Sequence, residues 1–241
     1  MLQKSASRVT KPDLGCDLLE NGDHMDQKTF HELYKQTPEG FRAELIRGVV
    51  FVASPTRLRH SRPHGRVSMW AFQYAEETPG IDGGIGTTTI LGEETEVEPD
   101  IGLFIDPEFG GRVTVDNDGY IQGPPEVAIE VANTSATIDL NTKRLEYEAA
   151  GVREYIVFLV KLKEVRWFTR GKASFAPLPP VDGIYRSRVF PGLWLDPVAV
   201  FEKHSPKLTE TLRAGLATPE HAAFVAKLAK QAAKRTKGDK A

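Results

Sequence analysis

The sequence predicts a mixed α/β fold, in which a central sheet is flanked by helices. Two segments, one beginning at His64 and one spanning 139–150, carry apolar residues at helical spacing. The run 155–160 is almost continuously apolar, as is typical of a central strand buried on both faces. With 241 residues, of which 40% are apolar and 27% charged, the chain can bury one full core and has the composition of a soluble globular protein.

Composition excludes several classes of protein. No window approaches the roughly 18 consecutive apolar residues that span a membrane, and the basic N-terminal stretch has no apolar run behind it. The single cysteine, Cys16, excludes an internal disulfide framework and a cysteine-based zinc site. We therefore expect a cytoplasmic protein without a membrane partner.

Charge is unevenly distributed along the chain. The net charge of −2 does not by itself indicate a nucleic-acid partner. From Lys203 to the last residue, however, nine Lys and Arg residues accompany three acids, so the body is acidic and the tail basic. We expect a flexible leader over residues 1–25, one domain over 26–200 and a basic helical tail over 201–241.

The first part of the domain is predicted to contain a short helix, a hairpin and a long helix. Asp26 or Thr29 would cap the short helix, and the segment 41–54 has the pattern of two strands joined at a turn. A basic, proline-bounded loop over 54–63 precedes the helix from His64. Five residues of this region are candidate nucleic-acid contacts: Arg57, Arg59, His60, Arg62 and His64.

The middle of the chain is predicted to be β-rich. The glycine-rich segment 80–92 lacks the lysine of a phosphate-binding loop and opens no helix, so we expect a turn into a strand. Over 93–106, apolar residues alternate with acids, which predicts one strand with an apolar and an acidic face; the acids are Glu94, Glu96, Glu98 and Asp100. The segment 107–125 has the turn residues of a hairpin excursion.

Glu130 is the strongest single-residue anomaly in the chain. It lies between two alanines on a short strand, 126–132, whose other parity is entirely apolar. A carboxylate in such a position is costly unless another group pairs with it. Glu44, in the first strand of the hairpin, also has apolar neighbours, although the solvated face of an edge strand explains it equally well.

Lys143, on the helix that follows, is a further candidate site residue. A helix is predicted from Asp139, as its N-cap, to Ala150, with Gly151 ending it. Lys143 falls within the stripe of this helix that is otherwise apolar. Its stem could instead carry the ammonium group out to water. After this helix we expect paired strands at 155–160 and 165–168, a last β element at 190–195 and an amphipathic helix from Thr218.

The predicted element order brings Asp100 and Glu130 together at one end of the sheet. Two carboxylates, completed by water and substrate phosphate, suit Mg²⁺, with Mn²⁺ as an alternative. Such an ion lowers the pKa of a bound water and offsets charge on a phosphate under attack. Lys143 would orient that water or stabilise the developing charge, and Glu44 would complete the set.

Several stretches of the chain resemble the Uma-two family of proposed restriction endonucleases, which belongs to the PD-(D/E)XK nuclease-like superfamily. The stretches are EVEPDIGLF and PPEVAIEVANTSATIDLNTKRLEYEAAGVREYIVF, preceded by TFHELYKQTPEGFRAELIRGVVFVASP and HGRVSMWAFQYAEE. The resemblance covers roughly residues 26–195, and its most specific part runs from Lys143 to Tyr155. It implies a restriction-endonuclease-like fold, a mixed central sheet flanked by helices.

The resemblance also implies roles for individual residues. Asp100, after Pro99, would be the aspartate of the motif, and Glu130 the acid of its second half. The superfamily pattern has a lysine two residues after that glutamate, where this chain has Ala132. In this family the lysine stands on the following helix, as Lys143 does, and Glu44 matches the acid of the opening hairpin. The implied protein is a Mg²⁺-dependent endonuclease that acts on DNA as a homodimer.

Two other hypotheses remain open on the sequence alone. The first is a non-catalytic nucleic-acid-binding or regulatory module that retains the nuclease fold, because a basic loop and tail accompany an acidic body. The second is that the acidic strand face forms an oligomer interface, with Glu130 as a structural carboxylate. Metal-dependent cleavage distinguishes the first hypothesis from a nuclease, and metal affinity after substitution of Glu130 distinguishes the second.

Overall fold

Two six-stranded sheets form the framework of the protein. The computed structural model describes residues 18–53, 58–133, 135–172, 174–203 and 206–238. The strand order is β2-β1-β5-β4-β8-β7 in the first sheet and β12-β11-β10-β9-β6-β3 in the second, and β13 pairs with β14. The strands are β1 Ala43–Ile46, β2 Val49–Val52, β3 Ile81–Ile85, β4 Thr89–Gly92, β5 Thr95–Val97, β6 Ile101–Ile105, β7 Thr114–Val115, β8 Ile121–Gln122, β9 Val127–Ala132, β10 Glu154–Leu159, β11 Glu164–Arg170, β12 Phe175–Pro177, β13 Tyr185–Arg186 and β14 Trp194–Leu195.

Helices cover these sheets, so the predicted mixed α/β class is confirmed. They are α1 Gln27–Tyr34, α2 Leu58–Glu76, α3 Ala136–Ile138, α4 Arg144–Ala150, α5 Lys207–Leu216 and α6 Pro219–Gly238. A π-helical turn, Asp139–Lys143, joins α3 to α4. Short 3₁₀ turns follow β6 and β14. No helix in the described part of the chain is long and apolar enough to cross a bilayer.

The centre of the second sheet carries the core. Strand β10 pairs in parallel with β9 and antiparallel with β11, and all six residues of both β9 and β10 are buried. The connection from β9 to β10 passes through α3 and α4, as a parallel pair requires. Val127, Ile129 and Val131 pack on the side of α2, whereas Ala128 and Ala132 pack on the side of α4 and the first sheet. Glu130 lies on the same face of β9 as those alanines.

The predicted single strand over 93–106 is wrong. The chain forms β5 in the first sheet and β6 in the second, with Pro99 at the break between them. Proline lacks the backbone N–H that a continuing ladder needs, so it favours an interruption there. The alternation of acids and apolar residues therefore describes two strands with different surroundings, and every residue from Ile101 to Phe104 is buried.

The basic loop predicted over 54–63 is also wrong from Leu58 onward, because α2 already begins there and contains Pro63. A proline within a helix removes one backbone hydrogen bond. Here its ring is buried one turn before Val67 and continues the inward stripe of α2. Burial of that ring offsets the lost bond. Residues 54–57, Arg57 among them, lie outside the described residues.

The predicted helix over 139–150 begins earlier than expected. Ser135 precedes its first turn, and the π turn follows at once, so Asp139 is not an N-cap but a buried residue inside the helical segment. Gly151 does end α4, as predicted, with a φ of 97°.

Both ends of the described chain pack on the domain. Leu19, within the segment expected to be a flexible leader, is 2% exposed and lies in a cluster with Phe30 and Val50. This attachment escaped the sequence pattern because one buried leucine has no periodicity. At the other end, Leu212 of α5 and Leu228 of α6 are buried in the main core.

The C-cap of α4 gives a stability prediction. Gly151→Ala is expected to lower the free energy of unfolding by about 1–2 kcal/mol, because an L-residue is strained at positive φ. Added bulk does not explain this loss, since the nearest atom to a new Cβ is the Arg112 Nη1 at 3.6 Å.

Gly65→Ala is the matched control for that substitution. Gly65 lies inside α2 with no atom within 4 Å of a new Cβ. The control should raise stability by about 0.5–1 kcal/mol, since alanine favours a helix interior. Urea unfolding of both variants checks the opposite signs, and equal effects would contradict the conformational explanation.

Candidate active site

Three of the predicted site residues meet in one buried contact. The Lys143 Nζ lies 2.8 Å from the Glu44 Oε1 and 3.0 Å from the Glu130 Oε1. Glu44 comes from β1 of the first sheet, Glu130 from β9 of the second, and Lys143 from the last position of the π turn. The Lys143 side chain is only 6% exposed, so its ammonium group points inward rather than out to water.

Asp100 lies at the same corner of the second sheet. Strand β6 runs antiparallel to β9 with Ile101 opposite Ile129, so Asp100 and Glu130 are each one residue beyond that pair. The Asp100 Oδ2 accepts a hydrogen bond of 2.7 Å from the backbone N–H of Val131. Asp100 thus lies in the break between β5 and β6, and its side chain is anchored to β9.

The π turn explains how a lysine reaches the strand carboxylates. A π turn widens the helix locally, and such turns are frequent at functional sites. Here it leaves Asp139 and Lys143 both buried, 2% and 5% exposed. Tyr147, one turn further along α4, donates its hydroxyl to the Glu130 Oε1 at 3.0 Å. One helical segment therefore supplies three polar groups to the site.

The site holds more negative than positive charge. Burial raises the pKa of Glu130 well above its ordinary value, and the charges of Asp139, Asp100 and Glu44 raise it further, against the effect of Lys143. Burial likewise raises the pKa of Asp139 to about 6. Burial alone would lower the pKa of Lys143, but the carboxylates around it outweigh that effect and raise it. Among the described residues, Glu44, Glu130 and Asp139 thus act on one ammonium group, and Asp100 adds a fourth carboxyl group beside Glu130.

Of the five predicted nucleic-acid contacts, the structure describes the side chains of Arg62 and His64. His64, 23% exposed, approaches the site with its Nε2 3.5 Å from the Asp100 Oδ1. Arg62 is exposed on α2. The side chains of Arg59 and His60, and the whole of Arg57, lie outside what the structure describes.

Two polar residues of the site were missed by sequence reasoning as site residues. Asp139 was predicted as a helix cap, and Tyr147 as part of an apolar stripe. The signal was available, because Asp139, Lys143 and Tyr147 follow one another at intervals of four and so share a helix face.

The other acids of the segment 93–106 belong elsewhere. Glu96 is 1% exposed and accepts one hydrogen bond from the Gln27 side chain, and the His31 Nδ1 lies 3.0 Å from its Oε1. Glu98 pairs with Arg42 and accepts a hydrogen bond from the Tyr34 hydroxyl. These carboxylates fix α1 and the hairpin to β5.

The carboxylate arrangement fits a hard cation that keeps part of its water shell. In the described part of the chain, no three His, Cys, Asp or Glu side chains are grouped so as to hold a metal ion alone. Mg²⁺ does not need such a cage, since it typically binds through one or two carboxylates together with waters and substrate phosphate. Asp100 and Glu130 supply two carboxylates, and the excess negative charge favours a cation there.

Comparison with known proteins supports the fold. A crystal structure described as "a putative nuclease belonging to DUF820", from Anabaena variabilis ATCC 29413, matches with a TM-score of 0.55 and 14% sequence identity. The match covers 71% of this chain and 98% of that chain, and it confirms the nuclease-like fold expected from the resemblance. No curated protein matches the chain.

A family model completes the comparison. The Uma2 model, described as "Putative restriction endonuclease", matches residues 28–198, which include Glu44, Asp100, Glu130 and Lys143. This match extends over more than half of the chain, and the protein therefore belongs to the Uma2 family.

Proposed function

We propose that the protein is a metal-dependent nuclease that hydrolyses phosphodiester bonds, with DNA as its substrate. The observation that carries the proposal is the contact of Lys143 with Glu44 and Glu130 beside Asp100. Membership of a family described as restriction endonucleases supports the same activity. Mg²⁺ is the expected ion, and Mn²⁺ is the alternative.

Asp100 and Glu130 would hold the ion. When bound, a divalent cation lowers the pKa of a water and offsets negative charge on the phosphate. Each carboxylate is prepared for this role by a hydrogen bond to one of its oxygens, from the Val131 N–H and from the Tyr147 hydroxyl respectively. The chain thus fixes both carboxylates in orientation before any ligand arrives.

Lys143 would stabilise the negative charge that develops on the phosphate. Because its pKa is raised, it remains an ammonium group at neutral pH and cannot serve as a general base. Glu44 and Glu130 hold it in place, so it presents a fixed positive charge where the phosphate gains negative charge. Glu44 therefore contributes by positioning the lysine across the junction of the two sheets.

The charge of the site also determines the order in which the cation and DNA bind. Four carboxyl groups around one lysine repel a polyanion such as DNA. A bound divalent cation removes much of that repulsion. We expect DNA to bind near the site only weakly in the absence of a divalent ion, and His64, at the exposed side of Asp100, to be among the residues that contact it.

Asp100→Asn tests the assignment of the metal site. We expect Mn²⁺ affinity, measured by calorimetry, to fall by about 10–100-fold, because a neutral amide is a poorer ligand for a hard cation. Cleavage of plasmid and single-stranded DNA should fall with it. Asp118→Asn is the control. Asp118 lies in the turn between β7 and β8, where it is exposed and pairs with Lys35. Cleavage that survives in Asp100→Asn would overturn the assignment.

The alternative is a non-catalytic nucleic-acid-binding module with the same fold. Its support is the basic composition of the tail. It predicts binding that weakens with salt as expected for several phosphate contacts, with no cleavage in Mg²⁺ or Mn²⁺. A homodimer, in which two sites related by a two-fold axis cut the two strands, stays a prediction for sedimentation analysis.

A further inference from the structure

The Glu130 carboxylate is held asymmetrically. Its Oε1 accepts two hydrogen bonds, one of 3.0 Å from the Lys143 Nζ and one of 3.0 Å from the Tyr147 hydroxyl. Within the described part of the chain, no side chain or backbone group donates to its Oε2. One oxygen is therefore engaged by two donors, and the other receives no hydrogen bond from the described residues.

The two donors to Oε1 differ in what they do to the carboxylate. Lys143 is positively charged, and Glu44 also shares it at 2.8 Å. Any shift of the lysine toward a substrate phosphate would loosen its hold on Glu130. Tyr147 is a neutral donor, so it can fix the orientation of the carboxylate without cancelling the charge that attracts a cation.

Tyr147 is itself held rigidly. Its side chain is completely buried, and its ring packs against Tyr155 with 5.0 Å between the ring centroids. A phenolic hydroxyl carries its proton at neutral pH. The hydroxyl is therefore a permanent donor at a fixed position.

We propose that Tyr147 is a positioning residue that locks the Glu130 carboxylate so that Oε2 alone faces the metal ion. The inference rests on the proposed metal site. Groups that orient a metal ligand in this way commonly change metal affinity or activity by about 10–100-fold when they are removed. Tyr147→Phe retains the ring and its packing but removes the hydrogen bond to Glu130.

Mn²⁺ titration of the full-length protein tests this role. Tyr147→Phe is expected to weaken Mn²⁺ binding by about 10-fold or more in calorimetry. The Mg²⁺ concentration that gives half-maximal DNA cleavage should rise in proportion, while kcat at saturating Mg²⁺ falls much less. A purely structural tyrosine would lower stability without this shift in metal dependence.

Tyr74→Phe is the matched control. Tyr74, on α2, is also fully buried, but its hydroxyl donates to the backbone carbonyl of Pro191. The Tyr74→Phe variant should lose stability and keep its affinity for Mn²⁺. Unchanged affinity in Tyr147→Phe, with the wild type binding Mn²⁺, overturns this inference alone. A wild type that binds no Mn²⁺ overturns the proposed function and this inference with it.

A measurement on the wild type covers the case in which Tyr147→Phe fails to fold. A metal at Oε2 withdraws electron density from the carboxylate and weakens the hydrogen bond at Oε1. We expect Mg²⁺ binding to change the near-ultraviolet absorbance of tyrosine. If Mg²⁺ binds without such a change, the proposed link between Tyr147 and the metal is wrong.

Discussion

Glu130→Gln is expected to lower the rate of Mg²⁺-dependent DNA cleavage by about a thousandfold or more. A metal ligand contributes several kcal/mol of transition-state stabilisation, and each factor of ten in rate corresponds to about 1.4 kcal/mol. Glutamine preserves the shape of the side chain and can still accept the hydrogen bonds of Lys143 and Tyr147. The loss would therefore report on the charge of the carboxylate.

The same substitution is not expected to destabilise the metal-free protein at neutral pH. A carboxyl group whose pKa is raised in the folded state costs stability when it is ionised, and that cost grows as pH rises through the raised pKa. Glutamine removes the cost. Lys143 does not lose all its partners, because Glu44 remains 2.8 Å away.

Two measurements on Glu130→Gln together distinguish a metal-binding role of Glu130 from a structural one. Cleavage should disappear while the urea midpoint stays the same or rises, and added Mg²⁺ should stabilise the wild type but not the variant. Glu108→Gln, which alters an exposed carboxylate after β6, should match the wild type in both respects. A variant that cleaves normally would show that Glu130 is a structural carboxylate.

The sequence contained the strongest parts of the site because strand geometry is simple. The run of small and apolar residues in β9 made a glutamate between two alanines visibly anomalous. The structure buries all six residues of the strand and gives Glu130 a partner in Lys143. Lys143 stood out for the same reason on a helical stripe. The patterns left the surroundings of Lys143 and Glu44 open; the structure brings both into one contact with Glu130, and their catalytic roles stay predictions.

Other features depend on structure that local patterns do not encode. The π turn places Asp139 and Lys143 together inside the protein, whereas N-cap preference had assigned Asp139 to the start of the helix. The passage from one sheet to the other at Pro99 leaves the alternation of residues unchanged. Similarly, Pro63 is accepted within α2 because its ring is buried, which only the tertiary packing determines.

Lys143→Met should have the largest effect on stability. Removing one partner of a buried ion pair commonly costs about 3–5 kcal/mol, since the other charge is left unpaired in the interior. Here the substitution leaves Glu130 without its cation among the other carboxyl groups of the site, and it should abolish cleavage as well. We expect this loss in urea unfolding at pH 7.5.

The pH dependence of that loss identifies its cause. Lys143 lowers the pKa of Glu130 in the wild type, so its removal raises that pKa further. Below the raised pKa the carboxyl group is protonated and its burial costs little, whereas above it the ionised form destabilises the fold. The difference between variant and wild type should therefore shrink as pH falls through the raised pKa of Glu130.

Divalent cations give a further test of the same charge argument. If Mg²⁺ binds beside Glu130, it replaces part of the missing positive charge, and it should restore more stability to Lys143→Met than it adds to the wild type. Lys161→Met, on the exposed turn between β10 and β11, should show neither the loss nor the recovery. A loss in Lys143→Met that is independent of both pH and Mg²⁺ would instead point to packing of the lysine stem, and would remove the electrostatic basis assigned to this site.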